Sequence, residues 1–180
     1  MVEEDEIRVW FADAPRREHT AAGRALLRRI LGDVDVEVGA NGKPHLRDSA
    51  LHFNISHSGE LVALAIARTP IGLDIEQIRM NRDLLGIARR FFSPDEVRRV
   101  EEDEQEFFAI WTMKEAVVKA IGSGVFGGLQ SFTVPRDGGI VRGREEWEVA
   151  PLASPRDGYR AAIAMPSGRR WRVSCAPCAS

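Results

Sequence analysis

IGLDIEQIR, Ile71 to Arg79, is the stretch from which the rest of this chain is best read. Asp74 and Glu76 alternate with Ile71, Leu73 and Ile75. That is the period of a β-strand, with both acids on one face and the aliphatics on the other. Same-face neighbours on a strand lie about 6 to 7 Å apart. At an effective dielectric of about 20, two carboxylates at that distance repel by roughly 2 to 3 kcal/mol. On the outer face of an edge strand, water tolerates such a pair. A hard dication removes the repulsion outright, and Mg²⁺ favours one or two carboxylates together with phosphate oxygens and water.

Downstream, WTMKEAVVKAIGSG (Trp111 to Gly124) winds as a helix whose apolar stripe runs through Ile110, Met113, Val117, Ala120 and Ile121. Glu115 and Lys119 are four apart on a face away from the stripe, with Trp111 beside them. Lys114 falls at the border of the stripe. Gly122 ends the helix. An ordinary surface ion pair, worth a few tenths of a kcal/mol, accounts for Glu115 and Lys119 alone but not for the paired acids upstream. Read together, the two stretches suggest a site of three carboxylates, Asp74, Glu76 and Glu115, around Mg²⁺.

The chain has 180 residues, 44% hydrophobic, with a net charge of −2. This suits one globular unit or two small lobes sharing a core, and excludes a disordered chain. The longest apolar run, Leu61 to Ala67, is of strand length, far short of a membrane span. The start, MVEEDE, is acidic without an apolar core of the signal-peptide kind, so a cytoplasmic protein is expected. Near-neutral charge argues against general nucleic-acid binding. Arg16, Arg17, Arg24, Arg28 and Arg29 nevertheless cluster early, while Glu101, Glu102, Asp103, Glu104 and Glu106 form an acidic run read as a solvated helix end or loop. Cys175 and Cys178 lack the second ligand pair that structural zinc requires and read as incidental.

Along the chain, Ile7 to Phe11 reads as a strand and Arg17 to Leu31 as a helix, with Arg17, Arg24 and Arg28 on its polar side. Val34 to Val38 alternates as a strand before the turn at 39–44. Leu51 to Ser56 and Leu61 to Ala67 form a hairpin broken at His57-Ser58-Gly59-Glu60, a turn whose amides could cradle an anion. Asp83 to Phe92 reads as a helix, unusually apolar, with Arg82, Arg89 and Arg90 around it. Ser93-Pro94-Asp95-Glu96 opens another helix with a capping box. Gln105 to Ile121 is the long helix. Gly122 to Gly128 is a glycine-rich loop. Short strands follow at 131–134, 140–141, 147–149, 159–165 and 171–175. Strand and helix runs interleave twice, before and after Pro70, which suggests an α+β fold of two similar lobes.

In this order, GKPHL (Gly42 to Leu46), FNISHSG (Phe53 to Gly59), GLDIE (Gly72 to Glu76), FFSPDE (Phe91 to Glu96) and WTMKEAVVKAIGSG resemble the 4′-phosphopantetheinyl transferases of the surfactin-synthetase-activating type. The resemblance implies two lobes, residues 1–70 for coenzyme A recognition and 71–180 for the metal site and carrier docking. Each would be a small antiparallel sheet packed with a long helix, the two related by pseudo-twofold symmetry. It implies Mg²⁺-dependent transfer of the phosphopantetheine arm of coenzyme A to a serine of an acyl or peptidyl carrier protein, with release of 3′,5′-ADP. Asp74, Glu76 and Glu115 would bind the metal, Glu115 would serve as base directly or through a metal-bound water, and Lys119 would meet the diphosphate. Ser56 and His57 would contact a coenzyme A phosphate. Lys43 and Pro44 would lie beside the adenine, and Arg17 or Arg24 would reach the 3′-phosphate. The basic, apolar helix at 83–92 would dock the acidic carrier, and a chain carrying both lobes would act as a monomer without nucleic acid or membrane. Two other readings stand beside it: a carrier-binding module without chemistry, and another Mg²⁺-dependent enzyme acting on nucleotide diphosphates.

Overall fold

The run LVALAIA, Leu61–Ala67, is buried at every position, as befits a strand covered on both faces. A computed structural model, describing residues 2–122, 128–142, 145–154 and 156–177, shows what covers it. This strand, β5, lies between β1 (Glu6–Asp13) and β4 (His52–Ser58), both antiparallel to it. β10 (Arg172–Pro177) returns from the far end of the chain to pair with β1 in parallel, so the sheet order is β10-β1-β5-β4. The second sheet, order β6-β9-β8-β7, is antiparallel throughout and comprises β6 (Gly72–Gln77), β9 (Tyr159–Pro166), β8 (Glu146–Leu152) and β7 (Gly139–Arg142). β2 (Val36–Val38) and β3 (Pro44–Leu46) make a small separate ladder.

The alternation along each strand sorts its side chains into layers. Val62, Leu64 and Ile66 of β5 meet Leu26 and Leu27 of helix α1 (His19–Leu31) on the outer face of the first sheet. Ile7, Val9, Ala63 and Ala65 turn inward, against Leu73, Ile75, Ala161 and Ile163 of the second sheet. The opposite face of the second sheet, with Val149, Ala162 and Ala164, carries helix α4 (Glu106–Ile121), joined by α2 (Leu84–Phe91) and α3 (Pro94–Glu102). The result is helix, sheet, sheet, helix: the expected α+β fold of two like lobes, each a four-stranded sheet with a helix outside it. The parallel β10–β1 pair is the departure from purely antiparallel sheets.

Local signals in the sequence act as their chemistry dictates. Ser93 caps α3: its side chain accepts from the Glu96 amide while the Glu96 carboxylate takes the Ser93 amide at 2.8 Å, closing the capping box. Asp83 caps α2 through the Gly86 amide. Gly122 stops α4 with φ of +70°. Two expectations are corrected. His57 and Ser58 belong to β4, because Ser58 already pairs with Leu61 and only Gly59 and Glu60 form the turn. No strand forms at 131–134. The Leu129 and Phe132 carbonyls accept from Lys114 and the Val134 amide donates to Glu96, so backbone groups that a ladder would use are committed elsewhere. Of the glycine-rich loop, residues 123–127 lie outside the described residues, as does Cys178.

A close helix-to-strand approach explains a glycine. A Cβ on Gly72 would lie 1.9 Å from the Ala116 carbonyl oxygen and 2.3 Å from the Ala120 amide nitrogen. Both are backbone atoms of α4, so the helix itself would have to move. Gly72→Ala is expected to destabilise the protein by about 3 kcal/mol, the upper part of the overpacking range. In thermal denaturation this is a fall of about 6 to 12 °C. Wild-type melting would show that α4 yields freely.

Candidate active site

The two lobes meet along β4 and β6. β6 is an edge strand of its sheet, and an unpaired edge exposes amides that need partners. Here side chains from β4 act as the missing neighbour. The Leu73 amide donates to Asn54 Oδ1 (2.9 Å), the Ile75 amide to Ser56 Oγ (3.2 Å) and the Gln77 amide to Ser58 Oγ (3.0 Å). The period of two puts Asn54, Ser56 and Ser58 on this face and Phe53, Ile55 and His57 on the other. At the turn, buried Tyr159 adds a further tie, its hydroxyl accepting from the Glu60 amide at 3.0 Å.

The acids of β6 therefore stand at a lobe junction. Asp74 is only 4% exposed. Its Oδ1 accepts from Ser56 Oγ at 2.9 Å and from Lys119 Nζ at 2.6 Å. Its Oδ2 is buried with no hydrogen-bond partner. Burial pushes the Asp74 carboxyl above its ordinary range, against the pull of Lys119 and Ser56. Glu76 Oε2 accepts from Ser58 Oγ at 2.6 Å. Burial raises the Glu76 pKa, the Ser58 bond opposes it, and the Asp74 charge raises it further. Glu115, on α4, is raised by burial and then by Asp74, with a smaller contribution from Glu76. Lys119, one turn further along the helix, does not pair with Glu115 as its spacing invites. It reaches Asp74, Ser56 Oγ (3.0 Å) and the Leu73 carbonyl (3.2 Å).

These groups open into one cleft of about 410 Å³, lined by Ser56, His57, Asp74, Glu76, Trp111, Glu115 and Lys119. The three acids thus share a cavity, and Glu115 lies in the field of the other two. Among the described residues no three His, Cys, Asp or Glu side chains close into a metal-binding cluster. The donor set still fits an oxygen-seeking dication such as Mg²⁺. It consists of carboxylates, and the bare Asp74 Oδ2 is the buried acceptor such an ion satisfies.

A second groove, of about 470 Å³, adjoins through His57, Glu76 and Trp111 and adds Arg16, His19, Arg79, Arg82, Leu84, Ile87 and Phe107. His57 stacks on His19 with ring centroids 4.4 Å apart, and the His19 ring contacts the Gly59 carbonyl at 3.2 Å. Burial and the neighbouring His19 hold the His57 imidazole below its ordinary pKa. Arg17 is exposed, paired with Glu18, and Arg24 is exposed on α1; neither lines this groove, whereas Arg16 does. Reading the sequence missed Arg16 and His19. The helix breaks at a 3₁₀ turn over Arg16–Glu18, which re-aims Arg16 in a way helical periodicity does not show.

Lys43 and Pro44 border a third hollow of about 300 Å³, with Phe53, Pro70, Ile121 and Gly122. The Lys43 ammonium is taken up by backbone carbonyls. It donates to the carbonyls of Lys119 (2.6 Å), Ala120 (3.0 Å) and Ile71 (3.1 Å), capping α4 and fastening it to the start of β6. Burial draws its pKa down. On α2, Leu84 and Ala88 are core, while Leu85, Ile87 and Phe91 are half-buried. Of its arginines, Arg89 pairs with Glu101 at 3.0 Å and Arg90 lies over the Phe91 ring.

A two-lobed α+β fold with an acidic cleft at the lobe junction defines the class, and comparison with known proteins agrees. The profile of the 4'-phosphopantetheinyl transferase superfamily matches residues 70–164. 4'-Phosphopantetheinyl transferase HetI of Nostoc is 36% identical over 185 residues, covering 92% of this chain and 76% of the relative. 4'-Phosphopantetheinyl transferase psf-1 of Bacillus pumilus is 41% identical over 128 residues, 63% of this chain and 54% of the relative. Sfp of Bacillus subtilis is 37% identical over 129 residues, 64% and 57% respectively. The chain belongs to the 4'-phosphopantetheinyl transferase superfamily. It spans about three quarters of the length of HetI and little more than half that of psf-1 and Sfp.

Proposed function

We propose that this chain transfers the 4′-phosphopantetheine arm of coenzyme A to a serine hydroxyl of an acyl or peptidyl carrier protein, releasing 3′,5′-ADP, with Mg²⁺ as cofactor. The observation that carries the reading is the set of underused carboxylate oxygens in the cleft. Asp74 Oδ2 is buried and unpartnered, and half-buried Glu115 makes no hydrogen bond or ion pair with the described residues. Groups kept at such a cost are a mark of function.

Asp74, Glu76 and Glu115 would hold the Mg²⁺, which when bound offsets negative charge developing on the diphosphate. Glu115, its pKa raised by burial and the Asp74 charge, accepts the proton of the carrier serine, a poor nucleophile without a base. The serine oxygen forms a bond to the phosphorus bearing the pantetheine arm. The bond from that phosphorus to the bridging oxygen breaks, and its electron pair leaves with 3′,5′-ADP. Lys119, already held by Asp74 and Ser56, steadies the diphosphate. His57, with Arg16 and His19 beside it in the groove, meets the 3′-phosphate. Arg17 and Arg24, exposed nearby, add only long-range attraction. Ser56 acts on the phosphates through the lysine it holds. Lys43 and Pro44 border the hollow assigned to adenine.

Residues 1–70 supply coenzyme A recognition and 71–180, apart from β10, which joins the first sheet, the metal site and carrier docking, the latter by half-buried α2 side chains rimmed by Arg82, Arg89 and Arg90. The same reading has the chain act as a monomer in the cytoplasm. Among the described residues no helix is long and apolar enough to cross a membrane.

The test is to mix the protein with coenzyme A, Mg²⁺ and an apo carrier protein and weigh the carrier. The expected result is a gain of one phosphopantetheine arm, abolished by EDTA and restored by added Mg²⁺. Carrier binding without mass gain would favour a non-catalytic module. Loss of coenzyme A without carrier modification would favour another diphosphate enzyme.

A further inference from the structure

We propose that Ser58 is a positioning residue for Glu76, and that Ser56 and Ser58 form a matched pair of clamps, each fixing one oxygen of an acid so that the other faces the cleft. The inference rests on Asp74 and Glu76 being dication ligands.

A serine hydroxyl has one proton and two lone pairs. Ser58 Oγ accepts from the Gln77 amide at 3.0 Å, and its one proton goes to Glu76 Oε2 at 2.6 Å. Ser56 repeats the pattern. Its oxygen accepts from the Ile75 amide at 3.2 Å and from Lys119 Nζ at 3.0 Å, and its proton goes to Asp74 Oδ1 at 2.9 Å. The serines are two apart on β4 and the acids two apart on β6, with the same sequence separation of 18 in both pairs. One strand register therefore sets both carboxylates.

Sealing the edge of β6 would not by itself require hydroxyls. Asn54 seals the Leu73 amide with a carbonyl oxygen, and there residue 72 has no acid to orient. A single oxygen that both accepts the strand amide and donates its proton, a hydroxyl, occurs at the two positions with an acid alongside. A glutamate side chain left free samples many rotamers and loses that freedom on binding an ion. Fixing it beforehand strengthens binding, as partners behind metal ligands commonly do by 10- to 100-fold.

The test uses the full chain. Mn²⁺ binding is titrated by electron paramagnetic resonance, and the Mg²⁺ concentration for half-maximal transfer is measured separately from kcat at saturating Mg²⁺. Ser58→Ala is expected to weaken Mn²⁺ binding about tenfold and raise the half-maximal Mg²⁺ concentration in parallel, with kcat largely preserved. Ser58→Thr, which keeps the hydroxyl, restores both. Ser58→Cys, of similar size but a weak donor, reproduces the alanine result where Ser58→Ala fails to fold. Lowered melting with unchanged Mn²⁺ affinity would reduce Ser58 to an edge seal and overturn the proposal, as would failure of threonine to restore affinity. If the wild-type protein binds no Mn²⁺, the dication reading itself falls, a result distinct from wild-type binding that Ser58→Ala leaves untouched.

Discussion

Lys114→Met is expected to destabilise the protein by about 3 to 5 kcal/mol, the cost of leaving a buried charge without its partner. Lys114 and Glu96 are both wholly buried and pair at 2.8 Å. The lysine also donates to the carbonyls of Leu129 (2.7 Å) and Phe132 and lies 4.5 Å from the centroid of the Phe132 ring. The carboxylate also accepts from the Ser93 and Val134 amides, each at 2.8 Å. Every polar atom of the pair is thus engaged, the condition under which a buried ion pair is tolerable. Burial still draws the lysine pKa down against the pull of Glu96. Methionine keeps the length and removes the charge, stranding Glu96 among apolar groups and freeing two carbonyls. Equilibrium denaturation measures the loss. In a double-mutant cycle, Glu96→Gln with Lys114→Met should cost less than the sum of the single changes, because neither charge is then left alone. Strict additivity would mean that the two residues act independently.

This buried pair also marks the limit of what the sequence disclosed. Period-two alternation made β6 and its acids legible, because a strand sorts its faces locally. Ser93 with Glu96 gave the start of α3, since a capping box closes within four residues. Lys114 defied the same kind of reading. Its place at the border of an apolar stripe named no partner; Glu96 comes from another helix, and only packing brings them together. Lys43 is a parallel case: the turn around it was plain, whereas the carbonyls it caps lie at 71, 119 and 120. Ser58 read as part of an anion-binding turn, yet β4 runs on through it, and the hydroxyls of Ser56 and Ser58 answer to acids 18 residues away. The gathering of Asp74, Glu76 and Glu115 at one cleft was anticipated from the two stretches read together and from the order of motifs, not from any local contact between them. No local pattern carries the Lys119–Asp74 bond, which competes with the Glu115–Lys119 spacing and prevails because Asp74 is the more deeply buried charge.

Glu115→Gln is expected to reduce transfer by about 10³-fold or more while leaving the fold intact. The change is nearly isosteric and removes both basicity and negative charge. Loss of a positioned general base alone lowers rates by about 10²- to 10⁴-fold, and loss of a preorganised electrostatic contact by a further large factor. Stability should respond in the opposite sense. Glu115 takes part in no hydrogen bond or ion pair with the described residues, and burial and the repulsion of Asp74 oppose its ionisation more than the Lys119 charge favours it. Removing its charge relieves that repulsion, so the melting temperature should equal or exceed that of the wild type. Asp74→Asn forms the contrast. It too should lose transfer, but by a second route as well, because it removes the ion pair that holds Lys119. A group that harms the fold by its presence and the reaction by its absence is retained for chemistry. Retained transfer in Glu115→Gln, measured by the mass of the carrier, would remove this residue from both base and ligand roles and leave the bare Asp74 oxygen without the companion that the reaction requires.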